Sequence, residues 1–188
     1  MNQSVISFQE KKIIPDAVLG MIFLLAAELM FFSGLISAFV VNKTGAIAWP
    51  PAGQPRLPVE MTAINSFILV MSGVLLFLSE KKNSKRLLSL SILSGVTFLL
   101  IQGSEWVKLL GFGLSSSGSI YGAFFYVIIG AHGLHVLAGL ALLIYLFFSL
   151  QKNNEEQTMK TTFTAFSLYW YFVVAIWIPL YVLVYLNR

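Results

Sequence analysis

The chain has 188 residues, 57% of them hydrophobic and 11% charged, against roughly half and a quarter in an ordinary soluble domain. That apolar excess is larger than one core of this length can enclose, so it faces lipid. The lack of cysteine excludes disulfides, thiolate metal centres, iron–sulfur clusters, covalently attached c-type haem and cysteine nucleophiles. The net charge of +4 resides in short basic clusters between apolar stretches, which reads as membrane topology and not as a nucleic-acid surface.

Five apolar runs are long enough to cross a bilayer, which takes about 20 residues at a helical rise of about 1.5 Å. They cover residues 17–41, 62–79, 87–110, 121–150 and 163–186. Barrel strands are short and alternate apolar with polar, whereas these runs are apolar on all sides. The expected fold is therefore all-α: a polytopic membrane protein of five transmembrane helices, with residues 1–188 forming a single transmembrane domain. Lys11 and Lys12 precede the first run as in a signal peptide, but the run is too long and contains Glu28, so a retained helix is expected. Lys11, Lys12, Lys81, Lys82, Lys85, Arg86, Lys152 and Lys160 fall on the N-terminal side of the spans, and only Lys43, Arg56, Lys108 and Arg188 on the other. The positive-inside rule then places the N-terminus in the cytoplasm and the C-terminus outside.

The loop over residues 42–61 contains Trp49-Pro50-Pro51-Ala52-Gly53, Pro55 and Pro58, which predicts a fixed outer turn with Trp49 at headgroup level. Pro179 is expected to kink or loosen the last helix.

Glu28 lies near the middle of the first span. A carboxylate there costs about 2.5–3.5 kcal/mol on insertion scales, so Glu28 is expected to face protein, largely protonated, and to donate a hydrogen bond. Two readings stand for it: interhelical glue with a partner such as a histidine, or a proton relay or ligand contact. Glu105, beside Trp106 and Lys108 near the end of the third span, reads as an interfacial anchor that snorkels. His132 and His135, in Ala131-His132-Gly133-Leu134-His135, project from broadly one side of the fourth helix. With Glu28 they would compose a two-His-one-carboxylate metal set. Hydrogen-bonded structural histidines between close-packed helices, with Gly130, Gly133 and Gly139 nearby, are the favoured reading, and no metal site is expected. The stripe Tyr169-Trp170-Tyr171-Phe172, with Trp177 and Tyr181, reads as packing and an interfacial belt in preference to a quinone or haem platform.

In their order, Glu28-Leu29-Met30-Phe31-Phe32-Ser33-Gly34, Trp49-Pro50-Pro51, Asn65, Gly103-Ser104-Glu105-Trp106 and Tyr121-Gly122-Ala123-Phe124-Phe125-Tyr126 through Gly130-Ala131-His132-Gly133-Leu134-His135-Val136 to Gly139 resemble subunit III of the haem-copper terminal oxidases, the cytochrome c oxidase family. The resemblance runs from about residue 19 to 185. It implies a five-helix short form of a seven-helix family, in a bacterial cytoplasmic (inner) membrane. It also implies an accessory, non-metal-binding role in a complex that reduces dioxygen and pumps protons. The chain itself would catalyse nothing: haem and copper would sit in a partner subunit, and this chain would pack on subunit I, hold phospholipid and help sustain proton uptake. Glu28, Glu105, His132 and His135 match the family's intramembrane glutamates and paired histidines. Trp49, at headgroup level, and Lys152, in place of the family's phosphate-holding arginine that is Ser149 here, are the expected lipid contacts. The family's Tyr-Trp-His-Phe-Val-Asp reads Tyr169-Trp170-Tyr171-Phe172-Val173-Val174, a departure that suggests a divergent branch. Such a branch could serve a quinol oxidase, a nitric oxide reductase or an oxidase supercomplex. A stand-alone membrane carrier is the competing class, without the inverted repeat or broken helices that would mark it.

Overall fold

The structure, a computed structural model, describes residues 15–150 and 156–186. It has five long helices: α1 (Asp16–Thr44), α2 (Val59–Lys82), α3 (Lys85–Gly111), α4 (Ile120–Ser149) and α5 (Glu156–Leu180), the last continued by a π-helical segment, Tyr181–Leu186. All five spans are long and apolar enough to cross a membrane, and no strand occurs among the described residues. The helices overrun the apolar runs at several ends because helix is not confined to lipid. α2 starts right after Pro58, and α5 begins in the polar residues Glu156 and Gln157, ahead of the apolar run at 163.

Local chemistry accounts for the helix boundaries. Pro15 and Pro58 stand immediately before α1 and α2, where a missing N–H costs nothing. Ser119 caps α4, its hydroxyl accepting from the Gly122 N–H at 3.1 Å. α3 ends where Gly113 takes φ +86° and Leu114 N–H donates back to Leu109, a left-handed close that favours glycine. In the loop after α1, Gly53 at φ +81° turns the chain while Gln54 N–H donates to Pro51. At the opposite end of the bundle, α2 and α3 form a tight hairpin through Asn83, and Lys85 Nζ donates to Leu150 O at 2.7 Å, tying α3 to the C-terminus of α4.

α2 packs most extensively on α3, and α4 on α5; α5 also touches α1 and α2, so it occupies the centre of the bundle. Trp170 explains that position. Its indole fits between Gly95 of α3 and Gly139 of α4, where an added Cβ would come within 2.8 Å and 2.7 Å of the ring, and its N–H donates to Ser72 Oγ of α2 at 3.1 Å. α1 is peripheral, with only Phe32 and Phe39 buried. Large side chains such as Phe23, Met30, Phe67, Leu100 and Leu134 stand exposed around the bundle, as a lipid-facing surface requires. Pro179 leaves α5 one donor short, and the chain goes over to the wider π form two residues later.

Candidate functional site

The polar residues expected inside the membrane separate into two clusters. In the first, α1 presents Glu28 to α4: His135 Nε2 lies 2.9 Å from Glu28 Oε2, with the two side chains 16% and 24% exposed. His135 Nδ1 lies 2.7 Å from Ala131 O, which can only accept, so Nδ1 carries a hydrogen. Neutral His135 then offers Nε2 as an acceptor, and the carboxyl of Glu28 donates to it. The alternative, imidazolium beside carboxylate, holds the same single proton and the same zero net charge. Either form avoids an isolated charge in lipid. Phe32 packs edge-on to His135 at 5.0 Å, and Phe31 stacks on it at 6.2 Å, so aromatic rings border the pair.

His132 does not join this pair. Its ring is fully enclosed: it stacks on Trp177 at 4.8 Å and meets Phe98 and Phe32 edge-on at 6.1 and 6.5 Å. Neither ring nitrogen has a hydrogen-bond partner among the described residues. One histidine is therefore bonded and the other is caged by rings, so the two-His-one-carboxylate set is not assembled. No group of three or more His, Cys, Asp or Glu that could hold a metal stands together among the described residues.

The second cluster surrounds Glu105, and here the structure departs from the expected interfacial anchor. Glu105 is only 4% exposed and turns into the bundle instead of snorkelling. Hydrogen-bonding side chains on α2 and on α3 itself hold it inward. Thr62 Oγ1 of α2 lies 3.0 Å from Glu105 Oε2, and Gln102 Nε2, one turn earlier on α3, lies 3.4 Å from the same oxygen. Gln102 Nε2 also donates to Tyr185 Oη at 3.0 Å, and Asn65 Nδ2 donates to Gln102 Oε1 at 3.3 Å and to Phe98 O at 3.2 Å. Of these partners the sequence singled out Asn65 alone. The i, i+3 spacing of Gln102 and Glu105 was a signal for Gln102, and none pointed to Thr62 or Tyr185.

Trp49 packs against protein: its ring lies edge-on to Phe39 at 5.5 Å and to Tyr121 at 5.2 Å. It borders a cavity of about 270 Å³ with Pro50, Arg56, Leu57, Tyr121, Val184 and Tyr185. Ser149 and Lys85 border a larger cavity of about 850 Å³ at the other end of the bundle. Lys152 lies outside the described residues. Of the residues that depart from the oxidase pattern, Val174 packs against Gly73, and Tyr171 has a buried hydroxyl without a partner among the described residues.

A profile of the family described as "Cytochrome c oxidase subunit III" matches residues 7–187. Among similar proteins are "Cytochrome c oxidase subunit 3" of Bos taurus, 34% identical over 88% of this chain and 67% of its own length, and that of Synechocystis sp., 33% identical over 92% and 76%. "Probable cytochrome c oxidase subunit 3" of Nocardia farcinica is 35% identical over 93% of this chain and 90% of its own length. On a profile match over nearly the whole chain and relatives of this identity and coverage, the chain belongs to the cytochrome c oxidase subunit III family.

Proposed function

We propose that this chain is the accessory subunit III of a respiratory haem-copper oxidase, lying in a bacterial cytoplasmic membrane with its N-terminus inside and supporting a catalytic partner, subunit I. The observation that carries this reading is the similarity over 88% to 93% of the chain to proteins named cytochrome c oxidase subunit 3. Haem and copper belong to the partner on this reading, and the donor set here supports that assignment. The chain has no cysteine and two histidines, one engaged by Glu28 and Ala131 and the other enclosed by Phe32, Phe98 and Trp177. On this reading dioxygen reduction takes place in subunit I, and this chain's contribution is mechanical and protonic. The Glu28–His135 pair keeps one mobile proton at mid-membrane without net charge, and Glu105 and His132 complete the intramembrane polar set that supports sustained proton uptake. Phospholipid fills the exposed apolar flank beside α1, where few side chains are buried.

Purification in mild detergent through a tag on this chain tests the reading. Haem absorbance and a large metal-bearing subunit should copurify. A colourless chain recovered alone from membranes that contain active oxidase contradicts it.

A further inference from the structure

The cavity of about 270 Å³ beside Trp49 is built where three helix ends meet. Arg56 and Leu57 stand just before α2, Tyr121 is the second residue of α4, and Val184 and Tyr185 lie near the end of the last span. Ends of membrane-spanning helices lie at the depth of the lipid headgroups. Trp49, Tyr121 and Tyr185 give the wall the kind of ring that settles at that depth. Leu57 and Val184 add apolar surface, and Arg56 is the charged residue on the wall among the described residues.

Arg56 is exposed and makes no hydrogen bond or ion pair among the described residues. The rings around it, by contrast, are fixed by protein. Trp49 is held edge-on by Phe39 and Tyr121. Tyr185 accepts from Gln102 Nε2 at 3.0 Å and stacks on Tyr181 at 5.7 Å, and Tyr181 in turn donates to Val59 O at 3.2 Å. A wall already ordered loses little freedom when a ligand enters. Charge at this end of the bundle is mostly positive. Lys43 and Lys108 lie in the last turns of α1 and α3, and α2 and α4 begin here, each with the positive end of its dipole. Glu60 is exposed in the first turn of α2 and is not part of the cavity wall.

We propose that this cavity seats the headgroup of an anionic phospholipid of the outer leaflet, with its phosphodiester beside Arg56 and its glycerol backbone against Trp49 and Leu57. The outer assignment rests on the sidedness given under Proposed function. The volume is slightly below the roughly 300–1,000 Å³ of pockets that enclose a drug-sized molecule, so it admits a headgroup while the acyl chains stay in the bilayer. Charge selects among headgroups. A guanidinium matches a phosphate with two parallel donors, whereas the ammonium of an ethanolamine headgroup would meet a cation and no carboxylate on the wall. A glycerol headgroup, which adds only hydroxyls, fits. The wall includes no residue of α1 among the described residues, so the site is separate from the lipid-covered flank of that helix.

The test uses the complex purified through this chain, freed of loosely held lipid and titrated with phosphatidylglycerol or phosphatidylethanolamine, with bound lipid counted by native mass spectrometry. Arg56→Gln should weaken the tightest phosphatidylglycerol binding roughly tenfold or more, the equivalent of one charge-assisted hydrogen bond. Arg56→Lys should keep part of that affinity. Lys43→Gln, which removes a cation at the same end but off the wall, should leave it unchanged, and phosphatidylethanolamine binding should be the same in all three. Arg56 is exposed and unpartnered among the described residues, so these variants are expected to keep the fold. Unchanged phosphatidylglycerol affinity in Arg56→Gln, or equal weakening in Lys43→Gln, would overturn the proposal. Displacement of the lipid by excess inorganic phosphate would make this a free-anion site and overturn it too, as would a high-resolution map with a partner side chain filling the cavity. Haem content of the same preparations reports separately on the accessory-subunit reading, which predicts copurifying haem whatever the lipid affinities.

Discussion

Glu28 can be replaced by glutamine without losing its hydrogen bond, since a Gln amide donates to His135 Nε2 as the carboxyl does. Glu28→Gln is therefore expected to assemble and to begin reducing oxygen at close to the normal rate, with activity decaying sooner during turnover; an oxygen electrode reads both quantities. Activity lost from the first turnover would place Glu28 on the direct proton path instead. His135→Phe is different, because it leaves the Glu28 carboxyl facing a ring with no acceptor. A buried polar group left unpaired costs about 1–3 kcal/mol, so thermal melting of the complex should shift down for His135→Phe and little for Glu28→Gln. At this scale the sequence was partly legible. A carboxyl and two imidazoles inside apolar runs stand out, and a histidine partner for Glu28 is a natural expectation. Which histidine it is could not be read, because positions 132 and 135 share one side of α4 and the packing of α1 against it selects between them. The burial of Glu105 was also hidden: Thr62 and Tyr185 are distant in sequence and ordinary as single residues, and only packing brings Thr62 to the carboxyl and Tyr185 to Gln102 beside it.

Two devices set the arrangement of the helices. The indole of Trp170 occupies the gap that Gly95 and Gly139 leave open, so Gly139→Ala must push either the ring or the helix. Overpacking of this kind costs about 1–3 kcal/mol, and the melting temperature and near-ultraviolet tryptophan signal of the complex should both change. Ser72→Ala, which leaves the Trp170 N–H unpaired, should destabilise in the same direction by about 1–3 kcal/mol. Unaltered melting in both variants would mean that Trp170 does not fix the position of α5. The second device is Pro179. The π-helical segment after it determines where Tyr185 points, so Pro179→Ala, by favouring a continuous α-helix, is expected to rotate Tyr185 off Gln102; a high-resolution map of the variant complex checks this directly. The helices themselves were legible because length and all-round apolarity leave no other spanning form. The π segment was not, since Pro179 predicts a disturbance without predicting its register, and the polar first turns of α5 were missed because a hydropathy run stops where lipid stops.

Across the whole molecule, the basic clusters predict sidedness, and the lack of native cysteine makes the prediction easy to check. A single cysteine at Ala52, in the exposed turn after α1, should react with a membrane-impermeant maleimide added outside intact cells, and one at Asn83, in the α2–α3 hairpin, only after the membrane is opened. The reverse pattern would invert the topology. Five spans and the family could be read from the sequence because the quoted motifs fall in order along the chain. The way α5 gathers α1, α2 and α4 around itself could not, because the choice of neighbour depends on side-chain fit at points such as Gly95 and Gly139 and not on hydropathy.

The central claim, that this chain supports an oxidase whose chemistry lies in a partner, is tested most directly by stripping or deleting the chain from the assembled complex and following oxygen consumption over successive turnovers. The account predicts an unchanged haem spectrum and a near-normal initial rate, followed by earlier loss of activity that returns to normal durability when the chain is restored. Loss of haem, or inability to reduce oxygen from the first turnover, would contradict it.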